Sequence, residues 1–335
     1  MPDENLNTPL VSIIIPVKNS ERTLGSCLSA IKRSNYKNYE LIVVDDNSSD
    51  RSLEIAKNFE CKILKVENGQ GANYARNIGG INANGNILIF VDSDIVVQKD
   101  TIHKIVETLQ DGDIDAVVGI YTAKHRNENI VSQYKNLWIR YSYLKSPPVI
   151  DWVFGSVSGI KKEAFMKVGG FDVNLLSRKG NDDIELGKRF AQENFKIVLN
   201  SDIEVEHLKQ YNLPSFIKNE FERSSGFAEL AVRLGETAHS VKHGFVNVYP
   251  AFIISTLIII LILTFAILTI SGKLSYLYLI GGILIYLILN IKFLNYLEQV
   301  RGLFAMLAMI PILVIDHIVC FVGSVVGTIK GIFKK

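Results

Sequence analysis

Between Ala251 and Ile270 the chain runs for 20 residues without a charge. That is enough helix to cross a hydrocarbon core ~30 Å thick. Leu274–Ile291 repeats the pattern after a Ser-Gly-Lys break, so the two read as a tight helical hairpin. A purely soluble fold is nearly excluded by this tail alone. The 36 Lys+Arg and 34 Asp+Glu crowd into the first 250 residues, which leaves a polar body ahead of an apolar end. A formal net charge of +2 gives no support for nucleic acid as a partner. The chain's 335 residues suggest about two domains, at ~150 residues each.

A third apolar stretch, Leu303–Ile329, is interrupted by Asp316 and His317, with Pro311 nearby. An ionisable pair at mid-depth is costly unless buried or functional. Each half is too short to span alone, so the segment either spans or re-enters. Three spans put Lys330, Lys334 and Lys335 on the far side. Two spans with re-entry group them with Lys292 and Arg301, as the positive-inside tendency favours. Three plain spans, for their part, need no specially buried backbone. The opening residues MPDENLNTPL are acidic and polar, and the first apolar run, Val11–Ile15, ends at Pro16. No export signal is read there. The expected location is the inner, cytoplasmic membrane, multi-pass, with the polar body cytosolic.

From Val11 to about Ile203, short apolar runs alternate with helical periodicity. VSIII (11–15), LIVV (41–44), KILKV (62–66), NILIFV (86–91) and DAVVG (115–119) read as buried strands. Helices are expected over 21–33, 52–59, 71–84 and 101–109. Continuous apolar strands alternating with helices imply an α/β domain, a mostly parallel sheet covered on both faces. Ligands of such sheets sit beyond the carboxyl ends of the strands. Pro16-Val17-Lys18-Asn19, Asp45-Asp46-Asn47-Ser48-Ser49-Asp50 and Asp92-Ser93-Asp94 occupy those ends. Ser49 or Asp50 can cap the helix that follows. A cap does not explain the successive acids Asp45 and Asp46. Asp92 and Asp94 are two apart, so they share a side of an extended strand and can hold Mg2+ or Mn2+.

Gly69-Gln70-Gly71 fails as a dinucleotide fingerprint, because it does not follow the first strand and Tyr74 stands at the third glycine position. Arg76, on the helix it feeds, is a solvated residue or a phosphate partner. Cys27, Cys61 and Cys320 are odd in number and dispersed, which argues against a zinc site or disulfide framework.

VSIIIPVKN, YELIVVDDNSSD, ARNIGGINANGNILIFVDSD, FGSVSGIKKEAFMKVGGFD and NDDIELGKRF occur in that order. Together they resemble family 2 glycosyltransferases, with a GT-A type (Rossmann-like) nucleotide-sugar domain, over roughly residues 10–230. The resemblance implies a donor site of Pro16, Val17, Asn19, Asp45, Asp46, Arg76, Asp92, Ser93, Gly155 and Ser156. An acid at Asp45 that accepts from a ring N–H suits uracil, or another base with such a donor. Asp92 and Asp94 would hold Mn2+ or Mg2+ against the diphosphate, with His207 as an extra ligand or a structural histidine. Asp183 would be the general base, giving inversion, with Asp182 standing where the family usually has Glu. The competing reading makes Asp182 and Asp183 helix N-caps. Gly169 and Gly170 can end a short helix, and Phe171 is core or acceptor platform.

The Gln-x-x-Arg-Trp segment of processive synthases is replaced by Phe221-Glu222-Arg223-Ser224-Ser225-Gly226, which favours transfer of one sugar. Arg223 can still meet phosphate. The domains expected are a catalytic body over 1–212, connecting helices over 213–249 and a membrane domain over 250–335. In the connector, Phe216, Phe221, Phe227, Leu230 and Leu234 lie among Lys218, Arg223, Arg233, Lys242 and His243. That pattern suits an interfacial helix or an ordinary packing helix. The function implied is transfer from a nucleotide-diphosphate sugar, UDP-linked by the Asp45 argument, to a hydroxyl of a membrane-associated, lipid-linked glycan in envelope or exopolysaccharide synthesis. The alternatives are a polyprenyl-phosphate glycosyltransferase, which needs a base less, and a non-catalytic nucleotide-sugar binding protein. A nucleotidyltransferase would carry a glycine-rich loop where Pro16–Asn19 stands.

Overall fold

The structure, a computed structural model, describes residues 8–173, 181–235 and 248–333, apart from the side chains of Asn181 and Asp182. Lys242, His243, Lys334 and Lys335 lie outside the described residues. The chain divides into two compact units. The first takes residues 8–126, 147–173 and 182–209, and the second takes 127–146, 210–235 and 248–333.

The first unit is a mixed sheet with helices. Its elements are β1 (Val11–Val17), α1 (Leu24–Lys32), β2 (Tyr39–Asp45), α2 (Ser52–Lys57), β3 (Lys62–Lys65), α3 (Ala72–Ile81), β4 (Ile87–Val91), β5 (Ile95–Val97), α4 (Thr101–Gln110) and β6 (Ala116–Tyr121). After α5, which belongs to the second unit, come β7 (Val149–Ile150), β8 (Val157–Lys161), α6 (Lys162–Lys167), α7 (Asn181–Gln192) and β9 (Ile197–His207). The sheet order is β3-β2-β1-β4-β8-β6-β9-β5, with β7 beside β9.

The first four strands of that order are parallel, as their apolar runs predict. β8 then runs antiparallel between β4 and β6, and β5 and β7 pair antiparallel with β9. The strand β8 reads Val-Ser-Gly-Ile-Lys, with two small residues and no continuous apolar run, so periodicity does not reveal it. The core is the buried row Ile13–Ile15, Leu41–Val44 and Leu88–Val91, and its removal from water is the main stabilising term.

The second unit is helical: α5 (Ile130–Leu144), α8 (Leu213–Arg233), α9 (Pro250–Ile270), α10 (Tyr276–Arg301) and α11 (Leu303–Phe333). α5 falls inside residues 1–212 by sequence, yet its aromatic face packs in this unit. Tyr134 meets Phe216 and Phe293, Trp138 meets Phe252, and Tyr141 meets Tyr249, Phe293 and Tyr296. Asn129 caps α5 by accepting from the Val131 N–H at 2.8 Å. α8 opens with a capping box between Asn212 and Ser215.

α9 and α10 form the expected hairpin, tied by Asn290 Nδ2 donating to Ser255 Oγ at 2.9 Å. The third apolar stretch, interrupted in sequence by Asp316 and His317, is one continuous helix, α11, which passes through Pro311. By length and composition α9, α10 and α11 could each cross a membrane.

A buried charge cluster joins α5, α8 and α11. Lys135 Nζ lies 2.5 Å from Glu220 Oε1, and Arg223 places two nitrogens on Glu220 Oε2 at 3.0 and 2.7 Å. The Arg223 guanidinium also stacks 4.5 Å over Trp138. Tyr134 donates to Asp316 at 2.7 Å. Glu220, Asp316 and Cys320 approach one another closely enough to suggest a metal site. Lys135 and Arg223 already supply that cluster with two positive charges. Burial alone would raise Glu220, but Arg223 and Lys135 overcome it and hold the carboxyl down at about 2.

Candidate active site

Strand register assembles the site. Val17 pairs with Asp45 across β1 and β2, and Ile14 pairs with Phe90 across β1 and β4. Pro16, Val17, Asp45 and the Asp92 turn therefore end at one edge of the sheet. Asp92 is the hub there. Its Oδ1 accepts from Arg76 at 2.7 Å, and its Oδ2 accepts from Ser156 Oγ at 3.0 Å. Arg76 is buried, so the solvated-helix reading of that residue is discarded. Asn73 Oδ1 accepts from it at 3.3 Å, and its guanidinium lies 5.3 Å over Phe171. Burial pushes the Asp92 carboxyl up, against the pull of Arg76.

Asp94 faces His207 Nε2 at 3.4 Å, brought there by the antiparallel pairing of β5 with β9. Burial would raise Asp94 too, but the His207 hydrogen bond and charge, with Lys209, hold it below the usual carboxylate range. Sequence reasoning missed Tyr121 at the end of β6. Its ring stacks on His207 at 4.5 Å and 15°, and its hydroxyl shares a 2.9 Å hydrogen bond with Ser156 Oγ. One residue thus braces the partners of both Asp92 and Asp94. A strand-end tyrosine carries no motif, which is why it is silent in the sequence.

Asp183 lies in the first turn of α7, and its Oδ2 accepts from the Gly155 N–H at 3.1 Å. The carboxylate thus reaches across to the loop before β8. A Cβ at Gly155 would stand 2.7 Å from Arg76 and 3.0 Å from Asp183 Oδ1. Only glycine lets the backbone pass between base candidate and arginine. Asp182 sits beside Asp183 on α7, with its side chain outside the described residues.

The other candidates make hydrogen bonds within the protein. Asp46 accepts from the Gln70 and Gly71 N–H groups at 2.7 and 3.0 Å and from Lys18 at 3.1 Å. It pins the glycine loop that precedes α3. Asn19 Oδ1 accepts from the Ser49 N–H at 2.9 Å, and Ser93 Oγ shares a hydrogen bond with Ser20 Oγ at 2.8 Å. Asp45, buried, accepts from the Ser48 N–H at 3.4 Å. Asp50 rather than Ser49 receives the Ser52 N–H at the start of α2, at 2.9 Å. Gly169 and Gly170, both at positive φ, end α6, while Phe171 packs on Phe90 and Phe165 as core. Arg223 belongs to the helical unit, where Glu220 holds it.

Two carboxylates and an imidazole at a strand end are a donor set that suits a divalent cation such as Mn2+. The burial-raised Asp92 fits that use, because a cation restores the charged form that burial disfavours. Among the described residues Asp92, Asp94 and His207 do not form a closed ligand cluster; Arg76 and Ser156 occupy the two oxygens of Asp92.

The glycosyl transferase family 2 model matches residues 12–169, and the model for the N-terminal domain of galactosyltransferase matches residues 139–212. Glycosyltransferase GlyG of Streptococcus pneumoniae serotype 4 is 36% identical over 117 residues, 33% of this chain and 39% of that protein. Glycosyltransferase AglE of Haloferax volcanii is 28% identical over 207 residues, 58% of this chain and 66% of that protein. The chain therefore spans less than two thirds of either relative. Among solved structures, the mannosyltransferase PcManGT from Pyrobaculum calidifontis, in complex with GDP-Man and Mn2+, matches with a TM-score of 0.58 at 17% identity. That match covers 98% of this chain and 89% of the other, and it is a likeness of fold. Residues 12–169 thus match the family 2 glycosyltransferase domain, the fold is of GT-A type, and apolar helices able to enter a membrane follow.

Proposed function

We propose that the protein is an inverting, metal-dependent glycosyltransferase, moving one sugar from a nucleotide-diphosphate sugar to a hydroxyl of a membrane-associated, lipid-linked glycan. The observation that carries this reading is the convergence of Arg76, Asp92, Ser156, Gly155 and Asp183 at one sheet edge. Asp45, with Pro16 and Val17, would receive the base, and an acceptor there suits uracil or another base with a ring N–H donor. Asp92, Asp94 and His207 would hold Mn2+ or Mg2+. When bound, the cation neutralises charge on the departing diphosphate. Arg76 shares that task by electrostatics.

Asp183 would take the proton of the acceptor hydroxyl as it attacks the anomeric carbon, opposite the leaving group. The Gly155 N–H orients one Asp183 oxygen, which fixes the carboxylate's direction. Asp182 would shape the acceptor side. A base so placed favours a hydroxyl acceptor over a bare lipid phosphate. The tail would hold the enzyme at the cytosolic face of the inner membrane, raising the effective concentration of a lipid acceptor.

The test is a donor screen on the full chain in detergent with Mn2+, reading nucleotide diphosphate release with and without lipid extract. One donor, released faster with extract, is the expected result. Release from no donor, with donors still bound, would turn the reading toward a binding protein.

A further inference from the structure

We infer that α11 does not cross the membrane. It lies along the membrane surface, on the side where the chain enters α9, with one apolar face in the lipid. The second half of α11 packs on α8. Gly323, Gly327 and Gly331 meet α8: a Cβ at Gly331 would stand 2.8 Å from Val232, and one at Gly323 would stand 2.8 Å from the Phe221 carbonyl oxygen. Upstream, Asp316 and Cys320 stand beside Glu220 of α8. From Asp316 to Gly331, then, α11 is bound to α8.

α8 is not a helix that hydrocarbon can hold. The Lys218 side chain is 77% exposed and that of Arg233 is 43% exposed. Charges facing lipid at depth cost several kcal/mol each. The part of α11 fixed to α8 must therefore stay out of the hydrocarbon core. What remains, residues 303–315, rises only about 20 Å at 1.5 Å per residue, short of the ~30 Å required.

The α9–α10 hairpin agrees. It touches α11 through Val314, His317 and Ile318, which pack on Phe252, Ile259, Ile262 and Tyr286. The far end of the hairpin is exposed instead, at Ile267, Ile270, Tyr276 and Leu277. α11 meets the hairpin on its middle turns and continues along α8.

On the side of α11 away from α8, both ends of the helix are apolar and exposed, flanking the stretch that the hairpin covers at Val314 and Ile318. Phe304, Leu307, Val322, Val325, Ile329 and Phe333 are exposed and recur on one side of the helix at three- to four-residue steps or their multiples. The occupant that fits an uncharged stripe on a helix fastened to a membrane hairpin is the headgroup–acyl boundary of a leaflet. Two crossings, α9 and α10, then return the chain to the side it left. Lys330 joins Lys292 and Arg301 there, in keeping with the positive-inside tendency.

Two measurements on the full chain test this. In sealed vesicles of known orientation, N-terminal and C-terminal epitope tags should be cut by added protease from the same side. Tags cut from opposite sides would overturn the inference. For depth, Phe304→Cys, Val322→Cys and Ile332→Cys are labelled singly with an environment-sensitive fluorophore in a Cys61→Ser background; Cys27 and Cys320 are buried. Lipids carrying quenchers at set depths should quench all three equally, about 5–10 Å into the leaflet. A graded series, with Val322 deepest, would show a span and defeat the inference even if the tags failed to report.

Discussion

Both units bury acids against bases, and they do so to opposite ends. At the sheet edge, the Asp92 side chain is 29% exposed and that of Asp94 is 27% exposed, although each has a cationic or hydrogen-bonding partner. In the helical unit, Glu220 is fully enclosed and Lys135 nearly so. The edge pairs can exchange partners with an arriving ligand. The sealed pairs can only hold helices together. Charge and burial alone do not separate a site from a lock; access does.

The largest effect should come from Asp183→Asn. The two side chains are nearly isosteric, so donor affinity and melting temperature should stay close to normal. Asn cannot accept the proton, and general-base catalysis is worth ~10²–10⁴-fold in rate. Turnover should fall by at least the lower figure, and Asp182→Asn should cost less. If both variants lost a little stability and no turnover, the pair would be helix caps and the acceptor would be sought among lipid phosphates.

Glu220→Gln should do the reverse. It leaves Lys135 and Arg223 buried without their anion, a change worth roughly 3–5 kcal/mol. Thermal unfolding in detergent should come many degrees earlier, with nucleotide diphosphate affinity preserved. The pH dependence has a definite sign. A carboxyl held at about 2 in the folded chain, against an ordinary value near 4.5, lends stability that is full above pH 4.5. That stability drains away as pH falls toward 2. The variant should lack this acid-sensitive component; an unchanged acid profile would remove Glu220 from the lock.

Next comes Asp94→Ala, expected to weaken Mn2+-dependent donor binding by at least about 100-fold, because losing a ligand should cost no less than the ~10–100-fold typical of losing a ligand's outer partner. The fold should hold, since Asp94 follows a strand end rather than filling the core. Calorimetry with and without Mn2+ reads both, and equal donor affinity in the two conditions for wild type would remove the metal from the scheme.

Much of the sheet edge was legible because strands announce themselves by apolar runs, and the residues after them then have only one place to go. Asp92 and Asp94 stand out in this way, whereas Asp183, on a helix, stands out only through the family resemblance. What stayed hidden depends on contacts remote in sequence. Nothing in the sequence shows that Asp46 accepts from the Gln70 and Gly71 N–H groups. Nor does a motif show that Arg223 pairs with Glu220, three residues away on the same helix face. α5 sits between strands of the sheet in sequence but packs by its aromatic face with helices more than 70 residues later. Pairwise packing of this kind has no period and leaves no pattern to read.

The smallest effect sharpens the comparison most, because it uses one residue type in both units. Tyr121 shares a hydrogen bond with Ser156 and stacks on His207, while Tyr134 donates to Asp316 inside the helical unit. Tyr121→Phe keeps the stacking and removes only the hydroxyl. A single hydrogen bond is worth about 0.5–1.5 kcal/mol, so the Mn2+ concentration for half-maximal activity should rise about 2- to 12-fold. Turnover at saturating Mn2+ should be unchanged, because Tyr121 touches the partners of the acids and not the reacting groups. Tyr121→Leu, which also loses the ring on His207, should shift the Mn2+ curve further. Tyr134→Phe should leave that curve in place and lower the melting temperature instead, since the Asp316 carboxylate loses a buried donor. A manganese titration and a melting curve on the three variants decide the matter. If Tyr121→Phe lowered stability and left the Mn2+ curve alone, its hydroxyl would be one more internal strut, and the sheet edge would resemble the helical lock more closely than its exposure suggests.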